Sequence, residues 1–338
     1  MKMYTEEYVP INGINQYFLH YPSSQKEVVL FVHGGPGTPT SSLAYNIKPH
    51  WDFCSYVYYD QRGAGRTLKK NKTKAEDLTT EVLLADLKDT ISYIKKKYQT
   101  DRIILLGQSW GSVLGTQYVL KYPNDVRCYI GNGHVINTRH EMQISYDKLK
   151  QTIEDAGAKG DMKKLNKLSN YPNVTKEKYF GDMYRIGRLQ SKYGQAVDSK
   201  TWKTMLKSPT AKLSDIYWML KGMRLNKELA CTLLDYSIWD VTEYQLPVYY
   251  ILGRDDWQTP STLAAEYFEK INAPHKGLHW IENASHITDV DNPVDFCNAV
   301  RDILLNYEPL SGESSAGSAV VSTSNILRYT PGLVRQWD

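Results

Sequence analysis

Short apolar runs alternate with longer amphipathic segments along this chain. Val28–Val32 reads Val-Val-Leu-Phe-Val without a polar break, the composition of a strand buried on both faces of a parallel sheet. Ser55–Tyr59, Arg102–Leu106, Val126–Ile130, Val248–Leu252 and Gly277–Ile281 are further short strand candidates. Ahead of them, Tyr4–Val9 and Ile14–Leu19 flank Asn12-Gly13, a two-residue turn signal that predicts a hairpin. Between Thr80 and Lys95, Leu83, Leu84, Leu87, Ile91 and Ile94 recur at helix spacing, with Thr79 or Thr80 available as N-cap. Gly111–Leu120, Pro260–Ile271 and Pro293–Leu305 follow the fifth, seventh and eighth strands as helices. This alternation predicts an α/β protein whose mostly parallel, eight-stranded sheet carries helices on both faces.

The alternation stops between strands six and seven. Residues 137–245 are lysine-rich, lack buried-strand runs and offer Met142–Asp155, Lys176–Lys192 and Leu213–Tyr236 as helices. They read as a helical cap over the sheet's C-terminal edge, inserted into a core made of residues 1–136 and 246–306. From Ser311 to Asn325 the chain turns rich in Ser, Gly and Ala, a linker-like composition. Residues 307–338 are therefore expected to form a flexible, appended tail.

Composition narrows the function classes. The 338 residues carry a net charge of +4, spread as lysine clusters at Lys69–Lys74, Lys95–Lys97 and Lys163–Lys167. None is interleaved with aromatics as nucleic-acid binding requires, so no nucleic-acid partner is expected. No stretch reaches the roughly 20 apolar residues of a membrane span, and no membrane partner is expected. Cys54, Cys128, Cys231 and Cys297 lie far apart without a C-x-x-C spacing, which suggests neither a zinc site nor a disulfide framework. The N-terminus has no apolar signal-peptide region; together with the thiols this predicts a cytoplasmic location. Tyrosine, with 26 copies, is expected mainly at half-buried surface positions.

One pentapeptide carries chemistry. Gly107-Gln108-Ser109-Trp110-Gly111 is a G-x-S-x-G sequence between a predicted strand and a predicted helix, the context of a nucleophile elbow. Ser109 at a helix N-terminus also meets a dipole that favours developing negative charge. His33-Gly34-Gly35-Pro36-Gly37 follows the third strand and exposes backbone N–H groups. The Gly35 and Trp110 N–H groups are the expected oxyanion donors. His33 is expected to brace this loop. A serine hydroxyl needs a base, and the base an orienting carboxylate. In the order Ser, acid, His, the acid falls in Gly253-Arg254-Asp255-Asp256 and the base is His286. Asp256 is favoured over Asp255. Asp60–Arg66 reads as a glycine-containing bracing loop with an Asp–Arg pair.

These motifs resemble the prolyl iminopeptidase family of α/β-hydrolase serine aminopeptidases. His33–Gly37 is similar to that family's HGGPG, and Asp60–Thr67 to its DQRGxGxS segment. Thr79-Thr80 with Leu84-Ala85-Asp86 resembles the start of its next helix, Gly107–Ser112 its GxSWGS elbow, and Gly253–Asp256 its GxxD acid loop. The resemblance spans roughly residues 1–135 and 245–306 and implies the α/β-hydrolase fold, the triad Ser109, Asp256 and His286, and no metal or organic cofactor. In the cap, the family's W-x-x-W-E segment for the substrate amine is missing. Glu141, Glu228 and Asp235 are the acidic side chains available to bind an amine. The expected partner is a small-molecule or short-peptide substrate, cleaved by a prolyl-iminopeptidase-like aminopeptidase. A carboxylesterase, amidase or lactonase on the same triad is the alternative. A carboxylate-nucleophile epoxide hydrolase or dehalogenase is disfavoured by the serine at the elbow, and a non-catalytic binding protein by the intact triad. Oligomeric state is not fixed by the sequence.

Overall fold

In the computed structural model, which describes residues 3–25, 27–168, 171–197 and 199–306, the strands are β1 (Thr5–Ile11), β2 (Ile14–Tyr21), β3 (Val28–Val32), β4 (Ser55–Asp60), β5 (Ile103–Gln108), β6 (Val126–Asn132), β7 (Val248–Gly253) and β8 (Lys276–Ile281). They form one sheet in the order β1-β2-β4-β3-β5-β6-β7-β8. β1 and β2 pair antiparallel, as do β2 and β4; the other pairs are parallel. Asn12 and Gly13, both at positive φ, close the hairpin, and its register runs from Ile11 opposite Ile14 to Thr5 opposite His20.

The apolar runs are buried on both faces. Val28, Leu30 and Val32 point into one core layer, Val29 and Phe31 into the other, the period-2 alternation of a strand. The helices before the insertion are α1 (Gly65–Lys70), α2 (Thr80–Tyr98) and α3 (Trp110–Lys121). Leu83, Leu87, Ile91 and Ile94 of α2 and Val113 and Leu114 of α3 fill the first layer. Thr79 caps α2, its side chain accepting from the Val82 N–H.

The insertion between β6 and β7 contains α4 (Thr138–Asp155), α5 (Lys159–Asn166), α6 (Lys176–Lys192), α7 (Ser199–Lys207), α8 (Leu213–Leu225) and α9 (Lys227–Thr232). It has its own apolar centre, with Leu149, Ile153, Leu165, Tyr179 and Ile186. The single helix expected over Leu213–Tyr236 is a correction: the chain breaks at Asn226, whose Nδ2 donates to the Gly222 and Gly63 carbonyls. The Asn226 side chain shares the Gly222 carbonyl with the residue's own N–H, and such back-bonding bends a helix. The rest of the fold is α10 (Ser261–Lys270), the short α11 (Thr288–Asp291) and α12 (Pro293–Asn306). Phe296, Cys297, Val300 and Ile303 of α12 fill the second layer.

Tyrosine usage also departs from expectation. Tyr17, Tyr21, Tyr56, Tyr58, Tyr118, Tyr129, Tyr250 and Tyr267 are fully buried, and Tyr21 stacks on Tyr56 at 4.5 Å between ring centroids. All four cysteines are buried free thiols. Among the described residues, no helix is long and apolar enough to cross a membrane. The tail expected at 307–338 lies outside the described residues.

Candidate active site

Because β3, β5, β6, β7 and β8 are parallel, their C-terminal ends gather on one edge of the sheet. β5 lies between β3 and β6, so the elbow sits beside the glycine loop. Ser109, half-buried, joins β5 to α3 with φ 52° and ψ −122°. Such a conformation costs a non-glycine residue about 1–3 kcal/mol and persists only where neighbours enforce it. The Ser109 N–H donates to the Asn132 carbonyl of β6 at 3.0 Å. The Ser109 carbonyl accepts from the Ser112 N–H at 2.8 Å and from Ser112 Oγ at 2.6 Å. A Cβ at Gly111 would collide with the Val32 carbonyl, so the first turn of α3 can approach β3 only with glycine there. Trp110 opens α3, where helix N–H groups have no partner in the helix's own ladder.

The loop after β3 lies against the serine. A Cβ built on Gly34 would sit 3.1 Å from Ser109 Cβ and 3.6 Å from Ser109 Oγ. Gly35 has φ +119°, and a Cβ there would meet the Gly37 and Thr38 nitrogens at 2.7 Å. His33 does brace this loop. It is buried, its Nδ1 lies 2.8 Å from the Gly34 carbonyl, and its Nε2 accepts from the Gln61 N–H at 3.0 Å. Burial pushes its pKa down to about 4. Gln61 then spans the two halves of the site: its Nε2 donates to the His33 carbonyl at 2.8 Å and its Oε1 accepts from Trp110 Nε1 at 3.0 Å. Sequence reasoning treated Gln61 only as part of a loop.

The acid and base candidates meet at the ends of β7 and β8. His286 Nδ1 lies 2.9 Å from Asp256 Oδ2, with both residues buried. Asp255 is exposed. Asp256 also accepts from the Gln258 N–H at 2.9 Å, the Thr259 N–H at 3.1 Å and Thr259 Oγ1 at 2.9 Å. Thr259 was missed, although a Thr three residues after an Asp is a recognisable local capping pattern. Burial alone would lower the His286 pKa. The Asp256 charge and hydrogen bond, with Glu141 and Asp291 farther off, outweigh it and raise the pKa. A Cβ on Gly133 would stand 3.1 Å from both Cε1 and Nδ1 of His286. Since Gly133 follows Asn132, the acceptor of the Ser109 N–H, the imidazole and the elbow border the same end of β6. Two further bonds tie the base loop to this end: Thr288 Oγ1 to Asn132 Oδ1 at 2.9 Å, and Gln108 Nε2 to Asp289 Oδ1 at 3.1 Å.

A family model described as alpha/beta hydrolase fold matches residues 27–293. The chain belongs to the alpha/beta hydrolase fold family. It is 23% identical over 305 residues to the probable aminopeptidase YbaC of Bacillus subtilis, covering 88% of this chain and 92% of that protein. It is 22% identical over 309 residues to a proline iminopeptidase of Heyndrickxia coagulans, covering 89% and 99%. The crystal structure of a proline iminopeptidase from Mycobacterium smegmatis superposes with a TM-score of 0.62 at 18% identity, over 89% of this chain and 97% of that one.

Of the three acidic cap residues put forward for this α/β hydrolase, the fold brings one toward the His286–Asp256 pair. Glu141, on the first turn of α4, is buried and accepts from the Ile136 N–H at 2.6 Å. Burial raises its pKa to about 7, the Ile136 and Asn137 N–H groups pull it down, Asp256 pushes it up and His286 lowers it. Glu228 is exposed. Asp235 is exposed and pairs with Arg139 at 2.8 Å and Lys176 at 3.7 Å. The expected Asp60–Arg66 pair takes another form. Asp60 Oδ2 accepts from the Arg66 backbone N–H at 2.7 Å, and Oδ1 from Ser41 Oγ at 2.7 Å. The Arg66 guanidinium instead reaches Asp215 of α8 at 2.8 Å and Glu6 of β1 at 2.5 Å.

Proposed function

We propose that this α/β hydrolase is a serine hydrolase working through an acyl-enzyme, with Ser109 as nucleophile, His286 as general base and Asp256 as its orienting carboxylate. The observation that carries the reading is the strained Ser109 backbone, φ 52°, at the head of α3, beside the buried Asp256–His286 pair. Strain at a single half-buried serine is retained where it aims a side chain. In the proposed cycle His286 Nε2 takes the Ser109 proton as Oγ bonds to the substrate carbonyl carbon. The Gly35 and Trp110 N–H groups hold the oxyanion, and such donors are worth roughly 3–4 kcal/mol each. His286 returns the proton to the departing amine or alcohol as the carbonyl reforms. Water, deprotonated by His286, then attacks the ester carbonyl, and His286 returns that proton to Ser109 Oγ as the acid is released.

The favoured substrate class is a short peptide or amino-acid amide with a free N-terminus, in line with the names of the relatives in Bacillus subtilis and Heyndrickxia coagulans. A neutral ester or amide is a second reading with its own support. Glu228 and Asp235 are exposed, and Glu141 already accepts a backbone N–H, which leaves little free carboxylate for an ammonium group. Hydrolysis of amino-acid arylamides, proline included, compared with their N-acylated forms and with short acyl esters, tests both. Free-amine substrates should lead by roughly ten- to a hundredfold if a carboxylate binds them. Equal turnover of the acylated forms would reject the aminopeptidase reading and leave the ester reading standing.

A further inference from the structure

One stretch of the insertion touches both loops that carry the acid and the base. α6 ends at Lys192 and the chain turns through Tyr193–Val197. Gln190, buried in the last turn of α6, donates from Nε2 to the Trp257 carbonyl at 2.8 Å. Trp257 directly follows Asp256. The same Nε2 donates to Ser145 Oγ of α4 at 2.8 Å, and Ser145 Oγ donates in turn to the Trp257 carbonyl. The Trp257 N–H donates to the Gln195 carbonyl at 3.2 Å. Both backbone groups of the residue next to Asp256 are thus bound by the insertion. On the His286 side the contact is weaker: Ser285 Oγ lies 3.4 Å from the Ala196 carbonyl and 3.0 Å from Asp291 Oδ2, the nearer acceptor for its one proton. The turn is fixed from behind: Gln195 Nε2 donates to Thr152 Oγ1 of α4 at 2.7 Å, and the Gln195 N–H to the Gln190 carbonyl at 3.0 Å.

We infer that residues 190–197 form a positioning strap that holds the Asp256 loop through Trp257, with Gln190 its principal positioning residue. Local turns set the Asp256 carboxylate against Thr259, and the Asp255 N–H joins this loop to the His286 loop at the Ala284 carbonyl, 2.9 Å away. Beyond Asp256, both backbone groups of Trp257 are held by the insertion, through the Gln195 carbonyl and the Gln190 side chain. Gln190 and Ser145 converge on one carbonyl from two helices, so a shift of α6 against α4 moves Trp257 and with it Asp256. The insertion therefore has a part in the chemistry besides covering the substrate.

This inference rests on the serine-hydrolase reading for its kinetic consequences, and the test separates the two. In Gln190→Ala, kcat on a neutral ester should fall roughly ten- to a hundredfold, the scale of a misplaced catalytic group, with KM changed less than about twofold. The acid limb of the pH–rate profile should move to lower pH. His286 is faced by Asp256, Glu141 and Asp291, and of these only the Asp256 contact is loosened by the substitution. In the Asp256→Asn background, Gln190→Ala should cost little more. The downfield imidazole Nδ1–H proton resonance of His286, identified by its loss in His286→Ala, should broaden or shift in Gln190→Ala. Ser145→Ala, which removes one hydroxyl donor to the same carbonyl, carries the same expectations if Gln190→Ala folds poorly. An unchanged resonance, pH profile and kcat in a folded variant would overturn the strap. Failure of a fluorophosphonate to label Ser109 in the unaltered protein would instead sink the hydrolase reading, and the resonance would still decide the strap.

Discussion

Gly37 and Gly222 meet backbone to backbone, the first in the loop beside Ser109 and the second inside α8. A Cβ on Gly37 would stand 2.6 Å from the Gly222 carbonyl oxygen, and one on Gly222 would stand 2.5 Å from the Gly37 carbonyl oxygen. Replacing glycine by alanine within a helix ordinarily stabilises by about 0.5–1 kcal/mol. At Gly222 the sign should reverse, because overpacking against fixed backbone costs about 1–3 kcal/mol. Gly187→Ala in α6, where the added methyl meets nothing within 4 Å, should follow the ordinary rule. Urea denaturation of the two variants checks the opposite signs, and Gly222→Ala should also lose turnover.

Ser109→Ala should abolish turnover and fluorophosphonate labelling while leaving the far-UV spectrum intact. Ser109→Gly should be as inactive but more stable than Ser109→Ala by about 1–3 kcal/mol, since glycine alone is at ease at φ 52°. Persistent labelling in either variant would remove Ser109 from its role.

Asp256→Asn should lower kcat by several orders of magnitude, because the amide leaves His286 Nδ1 misoriented. Asp255→Asn, on an exposed side chain, should change kcat less than about threefold. The reverse order would show that the acid had been misassigned.

Two ionisations should shape the pH response. The base must be neutral, and the His286 pKa lies above the ordinary value of 6.5, so kcat/KM on a neutral ester should rise with pH through a midpoint above it. Glu141 titrates near 7 rather than 4.5, chiefly through burial. A carboxyl whose pKa is raised by folding favours the fold while protonated. Its contribution is complete below the unfolded value and lost as pH rises through about 7, amounting to at most about 3 kcal/mol. Glu141→Gln should flatten that decline in denaturation experiments between pH 4 and about 8. If Glu141 binds the substrate amine, the same variant should raise KM for free-amine arylamides and leave ester KM unchanged.

Gln61→Leu should cost about 2–4 kcal/mol in stability. It leaves the His33 carbonyl and Trp110 Nε1 without their buried partner, and each orphaned group costs about 1–3 kcal/mol. Gln61→Glu keeps an acceptor for Trp110 but opposes the His33 carbonyl, so it should not restore stability. Equilibrium denaturation of both variants reads this directly.

The strands, the longer core helices and the candidate elbow were legible from local pattern. β3, β5 and β7 announced themselves as apolar runs, and Gly107–Gly111 fell where a strand meets a helix, with glycines two residues to either side of Ser109. His33 was legible as a brace, but its partner Gln61, 28 residues on, was not. What depends on distant partners came from the packing of the chain. Glu141 was one of three equivalent acids until α4 carried it under the end of β6, while Glu228 and Asp235 were left in solvent. Arg66 lay six residues from Asp60, yet its guanidinium went to Asp215 and Glu6, because two other elements supplied carboxylates closer to its reach. The helix expected across Asn226 is interrupted where that side chain reaches the Gly63 carbonyl, far away in the chain. Hydrogen bonds and ion pairs form over about 3 Å, and which groups come that close is set by how the insertion packs on the sheet, a long-range outcome that no local pattern encodes.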